Sequence, residues 1–269
     1  MEAEQLPLNE TVLGSTPSGC TSCISGSARI IVEPLICVSV IIKAHLSTYC
    51  LRMFPIRDHQ RAGIVPVATW LLIGITAYVF WLELIAPDTE QFIYQWALIP
   101  ARVSAAGAAS LYPFVISLFL HAGFLHIISN MWFLAVFGDN VEAALGKIRY
   151  LLFYLAGGVV AALIQFAFLQ GAAIPILGAS GAVAAVLGYY FVAFPGHSVT
   201  TLVPIFVFFT FMNLPARLVL FLWFLTQLLN GTASLGVASG STGGVAWWAH
   251  IGGFTFGMLV ALVFGKRKR

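Results

Sequence analysis

The chain has 269 residues, of which 60% are hydrophobic and only 9% charged. A soluble domain carries about 25% charged residues, so this chain cannot cover itself with a hydrated surface. Its mean hydropathy of +0.95, with apolar runs of about 20 residues, makes it a polytopic helical membrane protein. The net charge of +3 is not gathered on one face, which excludes nucleic acid as the expected partner.

Residues 1–52 are Ser/Thr-rich at first and then carry a short apolar run, Ile30 to Ile42, broken by Glu33 and Pro34. The run is too short to span and lacks the basic start and small-residue cleavage site of a signal peptide. All four cysteines (Cys20, Cys23, Cys37, Cys50) lie here, so the remaining chain can use neither a disulfide nor a thiol nucleophile. Cys20-x-x-Cys23 alone is a weak metal or redox signal. Met53 then opens "MFPIRDHQRAG", a basic leader directly before the first good span. The expected organisation is an N-terminal extension, 1–52, disordered or foreign to the natural product, ahead of a six-helix domain, 53–269.

Spans are expected near 65–86, 122–138, 149–170, 178–194, 214–229 and 245–264. The segment 87–121, with "YQWALIPARV" and "LYPFVISLFLH", is too patterned for a plain linker. Thr201 to Met212 reads as an interfacial connector or as the start of a longer fifth span. Arg57 and Arg61 precede the first span, Lys147 and Arg149 separate the second and third, and Lys266 to Arg269 close the chain. This distribution puts both termini in the cytoplasm, so spans two, four and six enter from the outer side.

Polar side chains inside a membrane bundle are costly and mark function by default. Span two begins "HAGFLHIISNMW", with His121, His126 and Asn130; span four opens on Ser180; span six, "VAWWAHIGGFTFG", carries His250. Each of Ser180, His250 and His126 falls within about two turns of the outer end of its helix, hence at similar depth. Asn130 shares a face with His126, whereas His121, five residues before it, does not. Gly181 and Gly188 along span four, and Gly253-x-x-x-Gly257 along span six, allow backbones to touch. Each feature alone has a plainer reading, as a helix cap, a packing motif or a satisfied structural histidine. Their conjunction points to chemistry.

A serine becomes a nucleophile when a positioned base takes its proton. No Asp or Glu follows Glu142, which disfavours a Ser-His-Asp triad, and the core lysines belong to cytoplasmic loops. A Ser180–His250 dyad is left, with unpaired N–H groups at the span-four N-terminus and donors from His126 and Asn130 available to an oxyanion. A zinc site built on His126 and His250 is the rival chemistry, without any HExxH or Cys/His spacing behind it.

"GASGAVAAVLG", the spacing His121-x4-His126-x3-Asn130 and "AHIGGFTFG", in this order over 53–269, resemble the rhomboid intramembrane serine proteases. The resemblance implies an all-α, six-transmembrane-helix bundle with Ser180 as nucleophile and His250 as base. It also implies an oxyanion hole of His126, Asn130 and the Ser180 backbone N–H. His121, Gly178, Gly181, Gly253 and Gly257 would support the site, and Glu142 would be structural. No metal or cofactor is implied. The implied partners are the lipid bilayer and single-span membrane proteins, cut near the outer boundary at helices that unwind easily. A catalytically inactive rhomboid-like protein that binds membrane helices is the alternative. Two positions depart from the family: Trp96 and Arg102 are separated where a Trp-Arg pair is common. Ala184 stands where some members stack a tyrosine on the histidine, leaving Trp247 or Trp248 to orient His250. Short loops and the lack of a targeting signal favour a bacterial inner membrane.

Overall fold

The computed structural model describes residues 53–106, 111–205, 208–235 and 245–264, all within one compact unit, Lys43–Arg269. The expected N-terminal extension, its cysteines and the basic tail lie outside the described residues.

Six helices stand where the apolar runs place them: α1 (Val67–Ile85), α5 (Phe124–Leu145), α6 (Lys147–Phe168), α7 (Ser180–Ala193), α8 (Ala216–Ser234) and α9 (Trp247–Phe264). Between α1 and α5 lie α2 (Thr89–Trp96), α3 (Pro100–Ala106) and α4 (Pro113–Ile116), the last running into a 3-10 turn, Ser117–Phe119. Helices α1, α6, α8 and α9 are each long and apolar enough to cross a membrane. The Pro113–Phe119 segment and α5 meet that condition together, across a bend of 94°. Gly146 alone separates α5 from α6; its φ of +80° and its N–H, 2.7 Å from the Glu142 carbonyl, make the turn between them.

Helix α7 has 14 residues and rises about 21 Å, well short of a hydrocarbon core of about 30 Å. All of Gly181 to Tyr190 is buried. A helix apolar on every side has no solvent or lipid face, and α7 is accordingly the central post. Its closest neighbour is α9. A Cβ on Gly253 would overlap the Gly181 carbonyl oxygen, one on Gly257 the Ala185 carbonyl, and one on Gly188 the Phe254 carbonyl. The small residues thus let two backbones touch.

Thr201 to Met212 connects α7 to α8, as strand and not helix in its described residues. It forms most of a hairpin, β2 (Ser198–Ile205) and β3 (Phe208–Pro215), and β2 pairs on its other side with β1 (Phe54–Asp58); all pairings are antiparallel. The β-branched residues of "SVTTLVPI" favour a strand, Pro195-Gly196 follows the end of α7, and Pro215, the last residue of β3, stands at the cap position of α8. Phe208, Phe209 and Phe211 are exposed. Asp58, 2% exposed, ties the sheet to the bundle. It accepts from Asn140 Nδ2 at 2.7 Å and from the Tyr190 hydroxyl, with His197 Nδ1 at 3.5 Å.

Candidate active site

The residues before α7 set its N-terminus. Leu98 and Ile176 exchange backbone hydrogen bonds of 3.1 and 2.8 Å, and Ala101 N–H donates to the Ala172 carbonyl, so the 87–121 segment braces "IPILG". Arg102 holds that segment together by donating to the carbonyls of Tyr94 and Ala97, a task that needs no adjoining tryptophan. Gly178 donates its N–H to the Ser117 carbonyl at 2.8 Å and takes a φ of +117°. A side chain there would also strike the His126 ring, whose Nε2 lies 2.8 Å from the missing Cβ. Ala179 occupies the cap position without a side-chain bond and Ser180 is the first residue of α7. The Ser180 hydroxyl therefore does not cap the helix, and the first-turn N–H groups beside it lack helical partners.

His250 approaches from α9, placed by the contacts of Gly253 and Gly257 with α7. Its Nδ1 lies 2.8 Å from Gln227 Oε1 on α8. The Trp223 ring is inclined over the imidazole, centroids 5.7 Å apart, and Trp247 meets it edge-on at 6.2 Å. Trp248, one of two aromatic residues expected to orient His250, instead stacks on Phe168 at 3.9 Å. The neighbouring Ala249 N–H donates to Gln165 Oε1 at 3.0 Å.

Helical spacing alone would put His121 off the His126 face. The residue precedes α5 altogether, so that spacing does not apply, and the bend turns its ring onto both partners. The ring meets His126 edge-on at 4.9 Å and lies 3.1 Å from Asn130 Nδ2 through Nε2, while Nδ1 lies 3.2 Å from the Phe119 carbonyl. A carbonyl only accepts, so Nδ1 carries the proton and Nε2 accepts from Asn130. One amide hydrogen of Asn130 is thereby used and the other is left. The His121 N–H in turn donates to buried Glu83 at 3.1 Å.

Ser180, His250, His126 and Asn130 line one cavity of about 320 Å³, with Trp223 and Leu177 among its other walls. No hydrogen bond joins Ser180 to His250 among the described residues. Nor is there, among them, a cluster of three His, Cys, Asp or Glu side chains able to hold a metal. Sequence reasoning passed over Gln227, Gln165 and Glu83, although each is a polar residue inside an apolar span, the same signal that singled out the histidines.

Gly257 offers a direct check on how α9 is placed. Gly257→Ala puts a methyl group against two segments of backbone, the Ala185 carbonyl and Tyr189 N at 2.8 Å, neither of which can rotate aside. The expected result is a loss of about 1–3 kcal/mol or more in unfolding. Leu262→Ala, on a 63% exposed position of the same helix, should cost far less. Equal unfolding midpoints for the two variants would contradict this packing.

Comparison with known proteins agrees with the bundle. The family model described as the Rhomboid domain matches residues 108–267, more than half of the chain. Presenilin-associated rhomboid-like protein A, mitochondrial, of Danio rerio is 36% identical over 77 residues, 28% of this chain and 20% of that protein. RHOMBOID-like protein 6, mitochondrial, of Arabidopsis thaliana is 35% identical over 74 residues, 28% of this chain and 24% of the relative. Rhomboid-like protein 11, chloroplastic, of the same plant is 43% identical over 72 residues, 27% and 25% respectively. The chain thus matches a quarter or less of each of these relatives' lengths. Their names are organellar and give no support to the bacterial inner membrane expected from the loops. With its helical bundle, multiple membrane-spanning helices and matched domain, the chain is an integral multi-pass membrane protein and belongs to the rhomboid family.

Proposed function

We propose that the chain is an intramembrane serine endopeptidase that cleaves single-span membrane proteins with a Ser180–His250 dyad. The observation that carries the reading is the shared cavity: a serine freed from capping, a histidine from the helix in backbone contact with it, and two further donors on α5. In the proposed reaction His250 takes the Ser180 proton as Oγ attacks the scissile carbonyl. The oxyanion is met by the Ser180 N–H, His126 and the second amide hydrogen of Asn130. The imidazolium then gives its proton to the leaving amine, and water, activated by the same base, releases the acyl group from Ser180. Gly178 serves this arrangement by letting His126 lie against the backbone, and Gly181, Gly253 and Gly257 serve it by bringing α9 onto α7. The basic residues Arg57, Arg61, Lys147 and Arg149 mark the cytoplasmic side of the bundle, with the cavity near the opposite face.

The test is reconstitution of the wild-type chain in lipid vesicles with a single-span substrate. Mass spectrometry of the products should locate one cut near the outer boundary, and a fluorophosphonate should modify Ser180. A folded chain that neither cleaves nor reacts would favour the inactive, helix-binding alternative and sink the protease reading.

A further inference from the structure

We propose that Gln227 is the positioning residue for His250, fixing the imidazole with its proton on Nδ1 so that Nε2 is the nitrogen offered to Ser180. The assignment deepens the protease reading and rests on it for the role of Nε2. The hydrogen-bond chain itself rests on geometry alone.

Gln227 is 2% exposed, on the face of α8 turned toward α9. Its Nε2 lies 2.9 Å from the Trp223 carbonyl and 2.9 Å from Thr226 Oγ1, while the Thr226 hydroxyl donates to the same carbonyl at 2.6 Å. A carbonyl can only accept, so the amide end facing it must be the NH2 group. The hydroxyl, its proton committed to Trp223, accepts the second amide hydrogen. Both Gln227 donors are then used, and Oε1 is left facing His250 Nδ1 at 2.8 Å. An amide oxygen only accepts, so Nδ1 must donate, and the hydrogen bond at one ring nitrogen sets the role of the other. Nε2 has no protein partner among the described residues. The Trp223 ring, inclined over the imidazole, limits its tilt. One turn of α8 therefore supplies both the acceptor for His250 and the aromatic wall beside it.

The residue type fits the place. A carboxylate would hold the ring equally well but would bury a net charge within the bundle, which is costly in a membrane, and no acid follows Glu142. A carboxamide orients the ring without that charge. It also fills the part left vacant by Ala184, where the family resemblance offers a tyrosine to stack on the histidine.

The experiment uses the full chain in lipid bilayers. Isotope-labelled histidine, with His250→Ala to assign the signal, should show the proton on Nδ1 in the wild type. Gln227→Leu and near-isosteric Gln227→Met should lose that signature and lower kcat about 10- to 100-fold, with KM nearly unchanged because substrate binding is not touched. Gln227→Glu, which keeps an acceptor, should recover most of the loss. A wild-type His250 protonated on Nε2 overturns the proposal without any Gln227 variant having to fold. So does a Gln227→Leu protein with unaltered kcat and tautomer. If the wild type neither cleaves nor reacts with a fluorophosphonate, the protease reading falls and the positioning role falls with it, whatever the tautomer.

Discussion

Ser180→Ala and His250→Ala are each expected to lower cleavage by about a thousandfold or more while leaving the fold intact. The size follows from the proposed dyad: removing either the nucleophile or its base removes the whole means of generating a serine alkoxide. The double variant should therefore be about as inactive as either single one, because groups that act as a unit are not additive. Stability should barely move in Ser180→Ala, since its hydroxyl caps nothing. Ser129 is the internal control. Its hydroxyl lines the same cavity but donates to the His126 carbonyl at 2.9 Å, so Ser129→Ala should keep turnover within a few-fold of wild type. Cleavage assays on matched, folded protein check all four variants. A Ser180→Ala chain that cleaves normally rules out the mechanism.

The parts of the fold carried by long apolar runs were legible in the sequence, because lipid leaves the backbone few alternatives to a helix. The fourth helix departs from that pattern: α7, with 14 residues, is too short to span comfortably, and buried small residues replace a lipid-facing side. Helix ends were less legible. α5 continues seven residues past its expected end and carries Asn140 and Glu142 into the protein interior, because Asn140 finds Asp58 of β1 and Glu142 finds the first turn of α1, partners that periodicity does not reveal. The sheet was missed for a related reason. Thr201 to Met212 is largely apolar, and an apolar run without alternation is ambiguous between strand and helix; it pairs mostly with itself as the β2–β3 hairpin, and only Thr201 and Leu202 of it reach β1. At the site, Ser180, His250, His126 and Asn130 line one cavity, yet the network that holds them was not readable. His121 reaches Asn130 because of a 94° bend, and Gln227 reaches His250 because α8 and α9 pack side by side. Both are tertiary facts. The polarity of Gln227 in "FLWFLTQLL" was nevertheless in plain view.

Glu142→Ala should be the most destabilising single substitution away from the cavity, by about 3–5 kcal/mol. Helix α1 begins after Pro66, which offers no side-chain cap, and its first turn is buried, Ala68 at 2% and Thr69 at 1% exposure. The donors of that turn are satisfied from another helix. Glu142, itself fully buried on α5, accepts from Ala68 N at 3.0 Å, Thr69 N at 2.8 Å and Thr69 Oγ1 at 2.9 Å. A carboxylate placed against a helix N-terminus is also favoured by the dipole. Alanine removes the acceptor and leaves the Ala68 and Thr69 N–H groups without partners where water cannot replace it, while the Thr69 hydroxyl keeps only the Tyr150 hydroxyl at 3.3 Å. A glutamine in place of the acid keeps one acceptor oxygen but turns its NH2 toward donors, so Glu142→Gln should fall between wild type and Glu142→Ala. The contact belongs to the end of the bundle opposite Ser180, which separates stability from chemistry: the fraction of Glu142→Gln that remains folded should react with a fluorophosphonate at the wild-type rate. Denaturant unfolding in detergent measures the first effect and labelling kinetics the second. An unfolding free energy for Glu142→Ala within about 0.5 kcal/mol of wild type, the range of an ordinary surface change, would show that α1 is held by its apolar packing and not by this borrowed cap.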